Sequence, residues 1–273
     1  MGGMKKIWRE AASLILTAHT PRTLSVVQSV LPVQDSPDWS TIFDYQVLML
    51  RRSSKSKFMP SAYVFPGGVL SKEDLSQDWM NYFQRKGRSQ DDLEELVLDK
   101  PDRPLLMSSE DSKEAVRRDI AFRLTAIRET FEESGILLYM DKNKEGDLAS
   151  AYTFSEEMEL EALRKKVHND PSELLKLYQE LDLIPDLWSL TEWSDWLTPT
   201  DLHEQGNRRF DTLFYLCNIG SKPETVLDKA EISALDWTYP GTILHQFYSR
   251  QLWLAPPQVY RVKEILYPPG IQG

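Results

Sequence analysis

Three glutamates stand close together in the segment A-I-R-E-T-F-E-E-S-G-I, residues 126–136: Glu129, Glu132 and Glu133. On an α-helix, positions i, i+3 and i+4 share one face, about 5–6 Å apart at Cβ, so the three carboxylates would repel one another. They destabilise an isolated helix unless positive charge lies among them. The residue types allow two interpretations, a solvated acidic helix face or a site that holds a cation.

Positive charge within the segment comes from one arginine. Arg128 precedes Glu129, and its planar guanidinium can bridge carboxylates on neighbouring helical turns. One guanidinium does not balance three carboxylates. A divalent cation would, because Mg²⁺ and Mn²⁺ prefer oxygen ligands and are often shared with substrate phosphates. The chain also has a glycine turn at Gly67-Gly68, and an acidic helix beside such a turn indicates a site for a metal-bound diphosphate.

Length and charge limit the classes of function. The 273 residues suffice for one large domain or two small ones with a buried core. The net charge of −10 argues against a general nucleic-acid binder and against a membrane-surface protein. No apolar run approaches the roughly 18–20 residues of a membrane span. A small anionic ligand is still compatible with this charge where basic residues gather locally.

The cysteine and the histidines indicate neither a disulfide framework nor a zinc site. Cys217 lies in the apolar run T-L-F-Y-L-C-N-I, which predicts a buried small hydrophobe rather than a nucleophile. A single thiol also suits a reducing compartment. The four histidines are scattered without zinc-ligand spacing: His19, His168, His203 and His245.

The elements that must position the acidic segment begin with three predicted strands. Residues 11–18, 45–52 and 62–70 have the apolar composition of strands, and the third runs into a Pro-Gly-Gly turn. The N-terminal region resembles a signal peptide only weakly, because Ser13 interrupts its short apolar run. Residues 19–44 have no periodicity and are predicted to form a long loop.

The acidic segment itself is predicted to lie on a helix. Apolar residues recur at intervals of 4, 3 and 4 from Ile120 to Phe131, which places them on one stripe facing a core. We expect the helix to begin after about residue 112 and to end at Gly135, which suits the C′ position. Residues 136–140 follow directly as a buried strand.

The rest of the chain alternates helical and strand patterns. Residues 153–182 are predicted to be helical, with a start signal at Asp170-Pro171-Ser172-Glu173. Residues 208–219 read as a long strand, and residues 234–247 as a strand leading into a helix. This order predicts an α/β (α+β) fold with a mixed sheet sandwiched between helices and with helical insertions. One domain is favoured because no flexible linker divides the chain.

Two separated motifs resemble the halves of the Nudix box, G-x5-E-x7-R-E-U-x-E-E-x-G-U. R-E-T-F-E-E-S-G at 128–135 resembles the second half, and F-P-G-G at 65–68 resembles the start, with Gly68 as the box glycine. Asp74 stands where the box has glutamate. Asp74 and Arg128 are separated by 53 residues instead of 7, so the box carries an insertion of 46. The chain is therefore identified, by resemblance, as a member of the Nudix hydrolase superfamily.

The split box is similar to that of the motif-19 branch (nucleoside diphosphate-linked moiety X motif 19), whose members act on coenzyme A (CoA) and acyl-CoA. The similarity covers most of the chain, in segments 47–79, 119–138, 185–199, 208–216 and 253–260. The stretch from Leu50 to Gly68 also resembles, in part, a wider CoA-diphosphatase signature. The resemblance implies a single Nudix domain over residues 1–273, with insertions at about 75–120 and about 141–205.

The activity implied by the resemblance is metal-dependent hydrolysis of the diphosphate in CoA and acyl-CoA, giving 3′,5′-ADP and (acyl-)phosphopantetheine. Mg²⁺ or Mn²⁺ would assist the attack of water on phosphorus. Glu129 and Glu133 would be the chief metal ligands, with Glu132 as an additional ligand or acting through water. The Gly67 carbonyl would complete the shell. Arg128 would orient the carboxylates by ion pairing without touching the substrate.

Two further acidic residues lie outside this set. Glu231, in D-K-A-E-I-S-A-L-D-W, is expected to be a catalytic base or an extra ligand, and the alternative is an exposed loop carboxylate. Asp74 is one carbon shorter than the glutamate of the box, which argues against an ion-pair role at that position.

CoA carries a diphosphate and a 3′-phosphate, so an acidic chain must gather basic residues to bind it. One such cluster precedes the glycine turn and another precedes a predicted strand. The residues expected to bind substrate, together with Gly67 and Gly68, are Arg51, Arg52, Lys55, Lys57, Arg208 and Arg209. A solvated loop is the alternative for each cluster. Trp188, Trp193 and Trp196 either line an acyl or pantetheine groove or fill a core between insertion and domain.

Other functions stay open from the sequence. One is a Nudix hydrolase of another nucleoside diphosphate derivative, such as ADP-ribose, a dinucleotide or an RNA cap; another is a non-catalytic nucleotide-binding module, which the presence of all box carboxylates disfavours. No nucleic-acid partner is expected, because basic and aromatic residues do not interleave, and no membrane partner is expected. The resemblance implies a peroxisomal location, although the chain ends G-I-Q-G without a targeting tripeptide; a cytoplasmic location is the alternative.

Overall fold

The computed structural model describes residues 8–21, 38–56, 59–97, 104–108, 116–141, 148–154, 156–199, 209–223, 225 and 232–266. The strands in these residues are β1 (Arg9–His19), β2 (Tyr45–Arg52), β3 (Tyr63–Val64), β4 (Gly67–Val69), β5 (Leu137–Tyr139), β6 (Ser150–Tyr152), β7 (Thr191–Leu197), β8 (Phe210–Ile219) and β9 (Ile232–Thr238). The helices are α1 (Asp78–Arg85), α2 (Gln90–Glu94), α3 (Arg118–Ser134), α4 (Glu157–Asn169), α5 (Glu173–Glu180), α6 (Pro240–Tyr248) and α7 (Pro256–Leu266), with 3₁₀ turns at Trp39–Thr41 and Leu105–Ser108.

A seven-stranded mixed sheet organises these elements. Its order is β3-β2-β1-β8-β7, with β4 also paired to β1 and β9 also paired to β2. β1 runs parallel to β8 along nearly its whole length, and the other pairings are antiparallel. Residues 17–19 of β1 pair with β2, and residues 11–13 pair with β4 on the same edge. β2 therefore diverges from β1, and β4 takes its place along this edge. The predicted strand over 62–70 is divided into β3 and β4, and Gly67 and Gly68 belong to β4 rather than to a turn.

Side chains alternate along the central strands and pack against helices on both faces of the sheet. Leu14 and Leu16 of β1 belong to the core that contains α3. Ile15, between them, belongs to a second core with Ile243 of α6 and Val262 of α7. The predicted mixed sheet sandwiched between helices is confirmed.

The helix that carries the acidic segment, α3, is buried on nearly every side. All of its residues except Glu129 are buried. The sequence predicts a single apolar stripe, but the outer face is covered as well because α4 packs against it. Gly135 ends α3, as predicted, in the left-handed conformation at φ 76°.

The insertion within the box folds back to its starting point. The Val116 N–H donates a hydrogen bond to the Leu75 carbonyl at 3.0 Å, so the two ends of the insertion lie side by side. α1 and α2 lie between these ends, and Trp79 and Phe83 of α1 join the core beneath α3. The two halves of the box are therefore adjacent in space although they are far apart in sequence.

The second predicted insertion contains both peripheral and central elements. β6 pairs with β5 in a separate two-stranded sheet, and α4 and α5 follow it. β7, however, lies in the main sheet beside β8. The sequence pattern predicts no strand there. A bulge between Glu192 and Ser194 interrupts the alternation of side chains that would have indicated one. The single-domain organisation itself stays a prediction.

Cys217 is buried on β8, as predicted. Among the helices in the described parts of the chain, none is long and apolar enough to cross a bilayer.

Candidate active site

Arg128 is the centre of a buried ion-pair cluster on α3. Its Nη1 donates to Glu129 Oε1 at 2.9 Å and to Glu132 Oε1 at 2.7 Å, and its Nη2 donates to the Val69 carbonyl at 2.9 Å. Burial lowers the pKa of Arg128, but the carboxylates of Glu129, Asp74 and Glu132 outweigh this effect and raise the pKa above its ordinary value. The guanidinium therefore stays charged and holds the carboxylates in place.

Asp74 completes the cluster. Its Oδ1 accepts from Arg128 Nε at 3.0 Å, and its Oδ2 accepts from Arg128 Nη2 at 3.0 Å. Oδ2 also accepts from Thr125 Oγ1 at 2.8 Å and from the Ser71 N–H at 3.0 Å. The prediction that a shorter side chain argues against an ion pair here is wrong. The turn from Ser71 to Asp74 brings the backbone close to α3, so the shorter side chain of Asp74 still reaches Arg128.

Glu129 lies against Gly68 of β4. A Cβ on Gly68 would stand 2.4–2.5 Å from the carboxyl atoms of Glu129, so any other residue at this position would displace that carboxylate. Burial raises the pKa of Glu129 to about 7; Glu132 and Asp74 add to the increase, and Arg128 opposes it. The cluster therefore holds too little positive charge for this carboxylate, and a bound cation would supply it.

Glu133 and Glu132 are adjacent in sequence but face different surroundings. Glu133 faces the cavity beside β4, and its Oε2 accepts a hydrogen bond from the Gly67 N–H at 3.0 Å. Glu132 is turned toward α4, where its Oε2 lies 3.1 Å from Nδ1 of His168. Its other oxygen accepts from Arg128. Both oxygens of Glu132 are engaged by the protein, so this placement argues against its predicted role as a metal ligand.

A cavity of about 810 Å³ opens beside Glu129 and Glu133. This volume is within the range of small-molecule sites. The positively charged side chains that line it are Arg9, Arg52 and Lys55. The large apolar side chains that line it are Met59, Phe65, Trp196, Phe210, Phe214, Pro256 and Pro257. The cavity thus combines two carboxylates and three cations with an apolar wall.

Comparison with protein families agrees with this geometry. A family model described as the NUDT19 Nudix domain matches residues 8–265. The chain belongs to the NUDT19 Nudix domain family. Two relatives of this NUDT19 Nudix domain are named acyl-coenzyme A diphosphatase NUDT19. The one from Xenopus laevis is 35% identical over 98% of this chain and 71% of its own length, and the one from Gallus gallus is 38% identical over 93% and 67%.

A solved structure also resembles this NUDT19 Nudix domain. A NUDIX hydrolase from Alicyclobacillus acidocaldarius has a TM-score of 0.60 and 22% sequence identity, and the match covers 96% of this chain and 92% of that chain. At this identity the similarity supports the fold alone. The predicted membership in the motif-19 branch of the Nudix superfamily is confirmed by the family match.

Nudix domains generally use divalent metal ions, and the carboxylates of this NUDT19 Nudix domain fit such an ion. Among the described residues, no group of three or more His, Cys, Asp or Glu side chains is arranged to hold a metal alone. Glu129 and Glu133 do supply two carboxylates to one cavity. That donor set suits Mg²⁺, which is usually held by one or two carboxylates together with substrate phosphates and water.

Some of the predicted substrate-binding residues between Arg51 and Gly68 line the cavity and others do not. Arg52 lines the cavity with Gly67 and Gly68. Arg51 does not line it. The prediction that both arginines reach one ligand is therefore not supported by the structure. Lys57 lies outside the described residues.

Arg209, the described member of the second basic cluster, does not line the cavity. Arg209 is buried, its Nε donates to the Thr198 carbonyl at 2.9 Å, and its guanidinium lies 5.6 Å from the centre of the Trp8 ring. These contacts explain why Arg209 does not take the predicted substrate-binding position. Arg208 and the predicted base Glu231 lie outside the described residues.

Of the three tryptophans, one lines the cavity and the other two pack between elements of the fold. Trp188 packs edge-on against Phe83 of the box insertion, with ring centres 6.1 Å apart, as core filling would require. Trp193 joins β7 to α7 by donating to Glu264 at 2.7 Å. Trp196 alone lines the cavity.

Two charged or titratable residues line the cavity although the sequence did not predict them as site residues. Arg9 begins β1 and is exposed at the cavity, where the parallel pairing of β1 with β8 places it. His168 lies near the end of α4 and reaches the cavity because α4 packs on α3. Neither belongs to a motif, so only the weak signal of a charged or titratable side chain at the end of an element marked them.

Proposed function

We propose that this chain hydrolyses the diphosphate of CoA and acyl-CoA to 3′,5′-ADP and (acyl-)phosphopantetheine, with Mg²⁺ or Mn²⁺ as cofactor. The observation that carries the proposal is the composition of one cavity, which is lined by Glu129 and Glu133, by three cations and by an apolar wall. The names of the two relatives point to the same substrate class.

Each part of the cavity matches one part of such a substrate. The carboxylates would hold the metal at the diphosphate, and the cations Arg9, Arg52 and Lys55 would bind phosphate oxygens. The apolar wall would receive the pantetheine arm and the start of an acyl chain. These positive charges stand together in a chain whose net charge is −10, so they create the local attraction that an anionic substrate needs.

The residues on α3 would act by position and charge. A bound Mg²⁺ or Mn²⁺ would neutralise phosphate charge and lower the pKa of a water molecule. Arg128 and Asp74 hold Glu129 in place, and the Gly67 N–H holds Glu133. Gly68 allows β4 to approach Glu129 closely. We further propose Glu231 as the base that accepts the proton of the attacking water.

The location that we propose is the peroxisome, on family resemblance alone. Microscopy of a fluorescent fusion of the complete natural protein, alongside a peroxisomal marker, tests this part independently of the chemistry.

A product assay tests the proposed activity. CoA, acetyl-CoA, ADP-ribose, NADH and a capped dinucleotide are each incubated with the protein and Mg²⁺ or Mn²⁺, and the products are identified by mass. We expect 3′,5′-ADP from CoA and acetyl-CoA. Turnover of another nucleotide with CoA untouched would replace the substrate class. Metal binding without any turnover would indicate a non-catalytic nucleotide-binding module.

A further inference from the structure

Four residues that line the cavity form one row across the main sheet. The strand register places them side by side on β4, β1, β8 and β7: Val69, Ala11, Thr212 and Trp196. Paired residues on neighbouring strands share a face of the sheet, and all four line the cavity. Three strand spacings make the row about 14 Å long. It runs from the strand against which Glu129 lies to Trp196 at the edge of the sheet.

The row continues from the sheet onto α7. Trp196 packs against Tyr260, with ring centres 5.7 Å apart. Tyr260 shares a helix face with Pro256 and Pro257, which precede it by four and three residues and line the cavity. Tyr260 itself is 53% exposed. The two rings, here called the aromatic pair, therefore extend the apolar wall of the cavity to the solvent.

The rim of the cavity is apolar beside the aromatic pair and charged or titratable elsewhere. Five described residues both line the cavity and are exposed: Arg9, Lys55, His168, Pro199 and Pro256. Pro199 lies just beyond the end of β7, which holds Trp196, and Pro256 lies one turn before Tyr260 on α7. An apolar chain therefore crosses the rim at the least cost beside the aromatic pair, because elsewhere it would displace water from polar groups.

The aromatic pair and the arginine of β2 lie on opposite sides of the candidate metal ligands. Glu129 lies against β4, which pairs with the edge of β1 that faces β2. Arg52 belongs to β2, whereas Trp196 belongs to β7, beyond the other edge of β1. A diphosphate held at Glu129 and Glu133 thus has a cation on one side and the row toward Trp196 on the other. The two ends of an acyl-CoA, a phosphorylated nucleoside and an apolar chain, differ in the same way.

We propose that Trp196 and Tyr260 bind the acyl chain of the substrate and that Tyr260 is a specificity-determining residue for the length of that chain. The proposal rests on the proposed function. With the diphosphate at the carboxylates, the pantetheine arm follows the row across the sheet and the acyl chain lies over the aromatic pair. Each methylene that reaches the pair leaves water, so the contact strengthens as the chain becomes longer.

A series of acyl chains tests the proposal. The value of kcat/KM is measured with Mg²⁺ for CoA, acetyl-CoA, hexanoyl-CoA and decanoyl-CoA, each below its micelle concentration. Tyr260→Ala removes the exposed ring and favours the helix, so α7 is retained. Tyr248→Ala is the matched control, because Tyr248 is an exposed aromatic residue of α6 that does not line the cavity.

The expected result is a change in preference among substrates. We expect the ratio of kcat/KM for decanoyl-CoA to that for CoA to fall about fivefold to tenfold in Tyr260→Ala, with a smaller fall for hexanoyl-CoA. Full burial of one methylene corresponds to about fourfold, so this loss equals one or two methylenes. In Tyr248→Ala the ratio should change by less than twofold.

Two results of this series would overturn the proposal. An unchanged ratio in Tyr260→Ala does so even if every rate falls, because a residue that only supports the cavity wall affects all substrates alike. An equal change of the ratio in Tyr248→Ala does so as well, since it shows no special role for Tyr260. Failure of the wild type to hydrolyse CoA and its esters would instead reject the proposed function, and this assignment with it.

Photocrosslinking of the wild type keeps the test valid if Tyr260→Ala folds poorly. The probe is decanoyl-CoA with a diazirine at the end of the acyl chain and a methylene in place of the bridging oxygen of the diphosphate, which prevents hydrolysis. After irradiation with Mg²⁺, the labelled residues are identified by mass spectrometry, with and without excess CoA. We expect labelling that CoA suppresses within residues 196–199 and 256–260. Suppressible labelling confined to other residues, or none at all, overturns the proposal.

Discussion

Neighbouring glutamates on α3 differ because of their angular positions. Residues 129 and 133 are separated by about 40° around a helix, whereas residue 132 is about 100° from residue 133. Glu129 and Glu133 accordingly share the cavity, while Glu132 meets Arg128 and His168. Two of the three glutamates, Glu129 and Glu133, are therefore candidate metal ligands. The third, Glu132, connects Arg128 of α3 to His168 of α4.

Substitution of single glutamates tests this division. Glu133→Gln removes a candidate metal ligand at nearly constant volume, and we expect kcat/KM to fall by about 10³-fold or more. Glu132→Gln is the matched change on the neighbouring residue and should cost about tenfold or less. Steady-state kinetics with CoA and Mn²⁺ titration by electron paramagnetic resonance measure both effects. Activity of Glu133→Gln within threefold of wild type, or equal losses for the two variants, would reject the assignment.

The two arginines at the end of β2 provide a second matched pair. Arg52 lines the cavity and Arg51 does not. We expect Arg52→Gln to raise KM for CoA by about fivefold to tenfold and KM for dephospho-CoA less, because a cation near the 3′-phosphate contributes about 1 kcal/mol or more. Arg51→Gln should change neither value by more than twofold. Equal effects of Arg52→Gln on both substrates would show that this residue does not bind the 3′-phosphate.

The helix α4 is the element through which the second insertion supports the site. Arg164 of α4 donates from Nε at 2.9 Å and from Nη2 at 2.6 Å to the carbonyl of Glu132. His168, one turn further, contacts the carboxylate of the same residue. α4 therefore holds both the backbone and the side chain of Glu132, and it brings His168 to the cavity.

Loss of the Arg164 contact should destabilise the fold. Arg164→Met leaves the buried Glu132 carbonyl without these donors, so we expect the free energy of unfolding to fall by about 2 kcal/mol or more. Lys165→Met is the control, since the exposed i,i+4 pair of Lys165 with Glu161 contributes only about 0.3–0.5 kcal/mol. Urea unfolding measures both. Equal stabilities of the two variants would mean that α4 is held mainly by apolar packing.

Charge is unevenly distributed over the whole molecule. The chain is strongly acidic, yet three cations and two carboxylates line one cavity. The pKa of Glu129 is raised to about 7, first by burial and then by its acidic neighbours. Without a metal, this charge opposes folding near neutral pH, so the metal is expected to stabilise the protein as well as serve catalysis.

The ionisation of Glu129 should make the stability of the metal-free protein depend on pH. In the metal-free protein, Glu129 in the unfolded chain loses its proton near 4.5, whereas in the folded protein it keeps the proton up to about 7. The stability that the neutral form contributes is therefore complete below pH 4.5 and is lost as the pH rises through 7. Glu129→Gln is neutral at every pH and avoids this loss.

Thermal unfolding in EDTA provides the measurement. We expect Glu129→Gln to be more stable than wild type at pH 8, by on the order of 3 kcal/mol, with the difference shrinking toward pH 5. Glu180→Gln removes an exposed charge and controls for the general effect of lower acidity. Added Mn²⁺ should stabilise wild type and not Glu129→Gln. A difference that does not depend on pH would contradict the raised pKa.

The local features of this protein were predictable from its sequence. The strands β1, β2 and β8, the helix α3 and its end at Gly135 follow from apolar periodicity and from the preference of glycine for the left-handed conformation. The two halves of the box were recognisable because their residue types and internal spacing do not depend on the rest of the fold. These signals are carried by residues close together in the chain.

The contacts that surround the box residues were determined by the tertiary structure. The contact of Val116 with Leu75 closes the insertion and restores the box, and the turn at Asp74 supplies the ion pair that its short side chain seemed to exclude. The engagement of Glu132 by α4 and the contact of Trp196 with Tyr260 likewise depend on how separate elements pack. Such contacts join residues distant in sequence, and no local periodicity encodes them.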